Sequence, residues 1–132
     1  MKKLLFMLAA GAAGSAMAAD TLTMTDQATQ RILSRSGSGQ VSDVVQSGSG
    51  NLAETNQTGS NNTARVLQQG SGNSSIITQS GSNFSAESLQ TGGAGVRIDQ
   101  SGAAGNIRVQ QTGPGAGGAT IFQQGQGTAT VR

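Results

Sequence analysis

The triplet Gln-x-Gly recurs eight times, starting at Gln46, Gln57, Gln68, Gln79, Gln90, Gln100, Gln111 and Gln123. Successive spacings are 11, 11, 11, 11, 10, 11 and 12 residues. A fixed period this short marks a repeat architecture, in which each unit packs mainly on its neighbours. The best copies share more than the triplet. Gln46-x-Gly48-x-x-Asn51-x-Ala53-x-x-x-Gln57 runs into Gln57-x-Gly59-x-x-Asn62-x-Ala64-x-x-x-Gln68. A third copy has Gln68, Gly70, Asn73, Ser75 and Gln79, and a degenerate first copy has Arg35, Gly37, Gln40, Ser42 and Gln46.

Each unit divides into a turn and a strand. Gly48, Gly59, Gly70, Gly81, Gly92, Gly102, Gly113 and Gly125 stand where the chain must reverse, a role suited to a residue without Cβ. Two residues before each Gln lie Val44, Thr55, Val66, Ile77, Ser88, Ile98, Val109 and Ile121. Four before lie Ser42, Ala53, Ala64, Ser75, Ala86, Val96, Ile107 and Ala119. By period-2 alternation these columns share one strand face with the Gln. The shorter unit (90–99) and the longer one (111–122) alter only the turn, and Pro114 falls in the longer one, where its missing N–H breaks no ladder.

One short strand cannot bury its own inner face. Two units folded back on each other make a rung of about 22 residues, and stacked rungs make a two-sheet β-solenoid. The expectation is an all-β fold of about 4–4.5 such two-strand rungs with a 22-residue period. Parallel stacking at about 4.8 Å then sets residue i over i+22. Gln46, Gln68, Gln90 and Gln111 would form one inward amide ladder and Gln57, Gln79, Gln100 and Gln123 the other, with Asn51, Asn62 and Asn73 beside them. Outward, the order Asp43, Arg65, Glu87, Arg108 alternates in charge down one sheet, which avoids stacked like charges.

Composition narrows the chemistry. Leu, Ile, Val and Phe number 24 of 132 residues, too few for an ordinary layered core. With no Cys and no His, thiol or Ser-His-Asp catalysis and the usual zinc and haem sites lack their groups. No cofactor, metal, small-molecule substrate or enzymatic activity is expected. Residues 1–19 read as a secretory signal peptide: Lys2-Lys3, an apolar run from Leu4 to Ala13, and a small-residue cleavage site at Ala16-Met17-Ala18. The rest carries six Arg against six acids, so the formal charge of +2 is no sign of nucleic-acid binding. Segment 20–34 precedes the repeats. A strand over Thr21–Thr25 and a helical turn after Asp26 are both compatible with it, and repeats occupy 35–132.

The string Gln-x-Gly-x-x-Asn-x-Ala-x-x-x-Gln resembles the curlin repeat of bacterial curli subunits. The resemblance implies a secreted structural subunit of extracellular functional amyloid, the cell-surface fibres (fimbriae or pili) of adhesion and biofilm formation. Its implied partners are itself, other curlin subunits, the curli export machinery, for which segment 20–34 is the recognised part, and the outer-membrane surface. In that family a major subunit forms the fibre and a minor one nucleates it. The varied turns, Ile32-Leu33-Ser34-Arg35-Ser36 and the terminal Arg132 are more similar to the minor subunit, with the major subunit as the alternative. A disordered Gly/Ser/Gln-rich matrix or linker protein fits the composition but not eight units in strand register. Ice-binding or calcium-binding solenoids would need outward Thr columns or Asp in each turn, and neither is present.

Overall fold

The computed structural model describes residues 5–10, 19–26, 30–36, 39–113 and 117–132, with side chains described from residue 39 onward. Lys2-Lys3, Ala16-Met17-Ala18 and Pro114 lie outside the described residues. The described residues form ten strands: β1 (Leu5–Ala10), β2 (Ala19–Asp26), β3 (Gln30–Ser36), β4 (Gln40–Ser49), β5 (Asn51–Ser60), β6 (Thr63–Ser71), β7 (Ser74–Thr91), β8 (Gly95–Thr112), β9 (Ala119–Gln124) and β10 (Gly127–Val131). The described residues contain no helix.

The chain winds as a parallel β-solenoid. Strands β4 and β5 form the first rung, and β6 with Ser74–Ser82 of β7 forms the second. The rest of β7 and the first half of β8 form the third, and the second half of β8 with β9 the fourth. Strand β10 stacks on β8 and starts a fifth. Val41 pairs with Thr63 and Leu52 with Ser74, a step of 22 residues. Ser74 pairs with Gly95, a step of 21, and Val96 with Ala119, a step of 23. The short and long units are thus absorbed at corners, while Gln79, Gln100 and Gln123 keep their column.

Burial alternates strictly along β4 and β5, as a two-sheet core with one wet face per sheet requires. The core is Val44, Ala53, Ala64, Val66, Ile77, Ala86, Val96, Ile98, Ile107 and Val109, all buried. The Ser42 and Thr55 hydroxyls meet across it at 2.6 Å. That contact fixes which positions face each other, so in the second rung Ala64 faces Ile77 and Val66 faces Ser75. In the third, Ala86 faces Ile98 and Ser88 faces Val96. In these two rungs each pair sets a large side chain against a small one, while the same offset sets Ile107 against Ile121 in the fourth.

The corners need left-handed backbone. All eight triplet glycines have positive φ, from 81° at Gly125 to 136° at Gly81. At Gly48 a Cβ would lie 1.8 Å from the Gly70 carbonyl oxygen, and at Gly59 1.9 Å from that of Gly81. The rungs approach too closely there for any side chain. Two residues past the triplet glycine a second positive-φ position recurs, filled by Gly50, Asn61, Gly72, Asn83 and Ala104.

Residues 19–36 are not solenoid. Strand β2 runs antiparallel to β5, and β3 antiparallel to β4, so the pair covers the N-terminal edge of both sheets. The degenerate first copy is split by this change of direction: Arg35 lies in β3, and the first parallel rung opens at Gln40. The strand expected over Thr21–Thr25 lies within β2, and residues 27–29, where the helical turn after Asp26 would begin, lie outside the described residues. The apolar run from Leu4 to Ala13 contributes β1 (Leu5–Ala10), which pairs parallel with β3.

Candidate functional site

The inner glutamines form hydrogen-bonded columns along the stack. Gln57 Nε2 donates to Gln79 Oε1 at 2.8 Å, Gln79 to Gln100 at 2.9 Å, and Gln100 to Gln123 at 3.0 Å. In the other sheet Gln46 donates to Gln68 at 2.7 Å and Gln68 to Gln90 at 2.9 Å. The second amide hydrogen crosses to the opposite sheet, from Gln57 to the Val41 carbonyl (3.0 Å), Gln68 to Leu52 (2.9 Å) and Gln79 to Thr63 (3.1 Å). These three amides therefore tie each rung to the next and the two sheets to each other. Six of these side chains rank among the largest fully buried ones, where an unmet amide costs about 1–3 kcal/mol.

The ladder expected through Gln111 is not made. Gln90 spends both amide hydrogens elsewhere, on the Ser74 carbonyl at 2.9 Å and the Ala94 carbonyl at 2.7 Å. The unit 90–99 is one residue short and has Ala94 where earlier copies have Asn, so the corner carbonyl takes the Gln instead. Gln111 donates to the Gly117 carbonyl, and its buried Oε1 has no partner.

The asparagines beside these columns also work as corner staples. Asn51 Nδ2 donates to the Gly70 carbonyl (3.0 Å) and Asn62 Nδ2 to that of Gly81 (3.1 Å), each the turn glycine one rung on. Their Oδ1 atoms accept from the next corner, Asn51 from the Asn73 N–H (3.1 Å) and Asn62 from the Phe84 N–H (3.1 Å). Only Asn73 and Asn51 join side chain to side chain, at 3.0 Å, because Phe84 holds the slot after Asn62. Asn73 Oδ1 accepts from the Gly93 N–H (2.9 Å) and the Ala94 N–H (3.1 Å).

Outside, Asp43, Arg65, Glu87 and Arg108 stand in consecutive register positions. Glu87 lies 3.8 Å from Arg65 and 3.2 Å from Arg108. Among the described residues no group of three or more His, Cys, Asp or Glu could hold a metal ion.

The two ends of the stack differ. Among the described residues β9 and β10 pair only with β8, so their outer edges carry unpaired backbone groups, a template for another strand. Ala119, Ile121, Ala129 and Val131 continue the core columns to this end and are only partly buried.

A family model, the curlin associated repeat, matches residues 42–66, 48–81 and 59–92. Residues 42–92 are thus curlin repeats. The matched stretches cover the rungs that carry Asn51, Asn62 and Asn73, and the parallel solenoid continues beyond them to Val131. The curlin family is one of structural amyloid subunits that assemble with one another into extracellular curli fibres. No curated protein and no solved structure matches the chain.

Sequence reasoning missed three features of this curlin stack. One is the second amide bond of Gln57, Gln68, Gln79 and Gln90, which an unspent donor on each ladder residue signals. Another is the Ser42–Thr55 contact, signalled by two hydroxyl residues in columns otherwise apolar or small. The third is the use of left-handed backbone at Asn61, Asn83 and Ala104, signalled by their alignment with Gly50 and Gly72.

Proposed function

We propose that this chain is the minor, nucleating subunit of an extracellular curli-type amyloid, exported through a Sec leader at residues 1–19. Its inward Gln column is the assembly element, and its outward Asp43–Arg65–Glu87–Arg108 column helps hold register. The observation that carries the reading is a column of four hydrogen-bonded glutamines, Gln57 to Gln123, that ends beside an unpaired strand edge. A strand edge with preset register lowers the entropic cost of ordering an incoming repeat. The varied turns and the broken second ladder favour a starter over a bulk fibre-former, whose every rung must stack equally well. Before it folds, segment 20–34 serves export recognition, and the fibre it starts supports adhesion and the biofilm matrix at the outer-membrane surface.

The test is to add sub-stoichiometric purified chain to a fibre-forming curlin subunit and follow thioflavin fluorescence. A shortened lag supports nucleation. Rapid fibre growth by this chain alone, with no effect on the partner's lag, makes it a major subunit instead.

A further inference from the structure

At the N-terminal end the incoming direction is blocked. Strands β2 and β3 run antiparallel to β5 and β4 and occupy their ladder edges, so an incoming rung cannot reach the first solenoid rung while they are in place, and the outer edge of β3 is itself taken by β1. Strand β2 also sets Asp20 opposite Gln57 and Asp26 opposite Asn51, carboxylates at the register positions of two column amides. Charges set into the columns of an edge strand are a known way of stopping further pairing. The outer edge of β2 is unpaired among the described residues, but it does not continue the amide column. The matching acceptor on the covered strand, Gln57 Oε1, is buried and has no hydrogen-bond partner.

At the C-terminal end the columns continue to their last member. Gln123 accepts from Gln100 through Oε1, which leaves its Nε2 as the donor for a next rung. The outward columns there end in Thr120 and Thr130, with Arg97 and Arg108 one rung inside, and Arg132 closes the sequence. Residues 100–132 contain no acid, whereas the first rung carries Asp43 and Glu54 outward.

We infer that templating is one-ended: the β9–β10 edge receives the first rung of another curlin-repeat chain, one with inward Gln, outward carboxylates and no antiparallel pair over it. This rests on the nucleating reading and adds its polarity and partner chemistry. The same geometry says why a second copy is a poor substrate. Its own first rung is covered by β2 and β3, so the stack passes to a different subunit rather than to itself. A heterologous, non-closing contact of this type propagates as a filament.

The experiment uses thioflavin lag of a fibre-forming curlin subunit whose first rung carries outward acids, seeded by the full chain and its variants. Ile121→Lys with Val131→Lys places charge in the half-buried end columns and leaves the deep core intact. A folded protein domain fused after Arg132 blocks the same edge without touching the solenoid, and the same domain fused before Asp20 blocks the other end. Circular dichroism checks that each variant keeps its strand content. The expected result is that both C-terminal blocks return the lag to within about twofold of the unseeded reaction, and the N-terminal fusion seeds as well as the unmodified chain. Seeding that survives both C-terminal blocks, or is lost on N-terminal fusion alone, overturns the polarity. No shortening by the unmodified chain overturns the nucleating reading itself, and the polarity with it.

Discussion

Gln57 and Gln79 lie 22 residues apart in sequence and 2.8 Å apart through their amides, both fully buried. Gln79 is the more exacting of the two. It accepts from Gln57, donates to Gln100 at 2.9 Å and donates to the Thr63 carbonyl at 3.1 Å. Gln79→Ala leaves those partners without it inside the core, at about 1–3 kcal/mol for each group that finds no substitute. Assembly should slow by about tenfold or more. Gln110→Ala, on the outward face of β8 beside Leu89, should change thioflavin kinetics by less than about twofold. Equal effects at the two positions would refute the assignment of the inward column as the assembly element.

The corner glycines are set by rung spacing as much as by φ. Gly59 has φ 108°, and a Cβ on it would press on the Gly81 carbonyl at 1.9 Å. Neither backbone can retreat without lengthening the ladder above it. Gly59→Ala should therefore cost about 3 kcal/mol or more, beyond the usual 1–2 kcal/mol for left-handed backbone. Gly113→Ala has an open site, with nothing within 4 Å, and should cost only the backbone part. Denaturant midpoints of the two variants compare them directly.

How much of this was legible follows from what repeats. The Gln spacing gave the period, the rung and the inward columns, because strand alternation and stacking leave no other way to align eight triplets. The charge order Asp43, Arg65, Glu87, Arg108 followed from the same count. Residues 19–36 hold no repeat, so nothing in Leu22 or Ile32 announced strands running against the solenoid. The break after Gln90 was visible only as a missing residue and a missing Asn. Which carbonyl would take the released amide depends on corner geometry that spacing does not encode.

Ala104 is the odd member of a left-handed column that elsewhere holds Gly or Asn, with φ 54°. An Ala there bears a Cβ clash worth about 1–2 kcal/mol, partly offset by the greater unfolded-state entropy of Gly, about 0.5–1 kcal/mol. Ala104→Gly should raise stability by about 0.5–1 kcal/mol with no change of fold. A lower thermal midpoint for that variant would mean the corner is held by contacts other than its backbone conformation.

Ser75 fills the slot that holds Ala53 one rung earlier, and its buried hydroxyl has no hydrogen-bond partner. Removing it costs almost no volume and no bond. Ser75→Ala should stabilise the chain by about 1 kcal/mol, the low end of the cost of a buried unmet polar group. Ser42→Ala serves as the contrast. It strands the Thr55 hydroxyl, which now bonds Ser42 at 2.6 Å, and should destabilise by a similar amount.

Glu87 stands between two cations, 3.8 Å from Arg65 and 3.2 Å from Arg108. Arg65 and Arg108 are 60% and 58% exposed at the side chain, so each pair contributes only a few tenths of a kcal/mol in water. Glu87→Gln should therefore be nearly silent. Glu87→Lys is different in kind, because it stacks three cations at a rung spacing of about 4.8 Å, and each new neighbour repels where it used to attract. At low ionic strength the reversal should cost about 1–2 kcal/mol and lengthen the assembly lag. Salt decides between charge and shape: the Debye length falls from about 10 Å at 0.1 M to about 3 Å at 1 M, so most of the Glu87→Lys penalty should vanish in 1 M NaCl. A penalty that persists there would assign Glu87 a packing role and remove the outward column from any part in holding register.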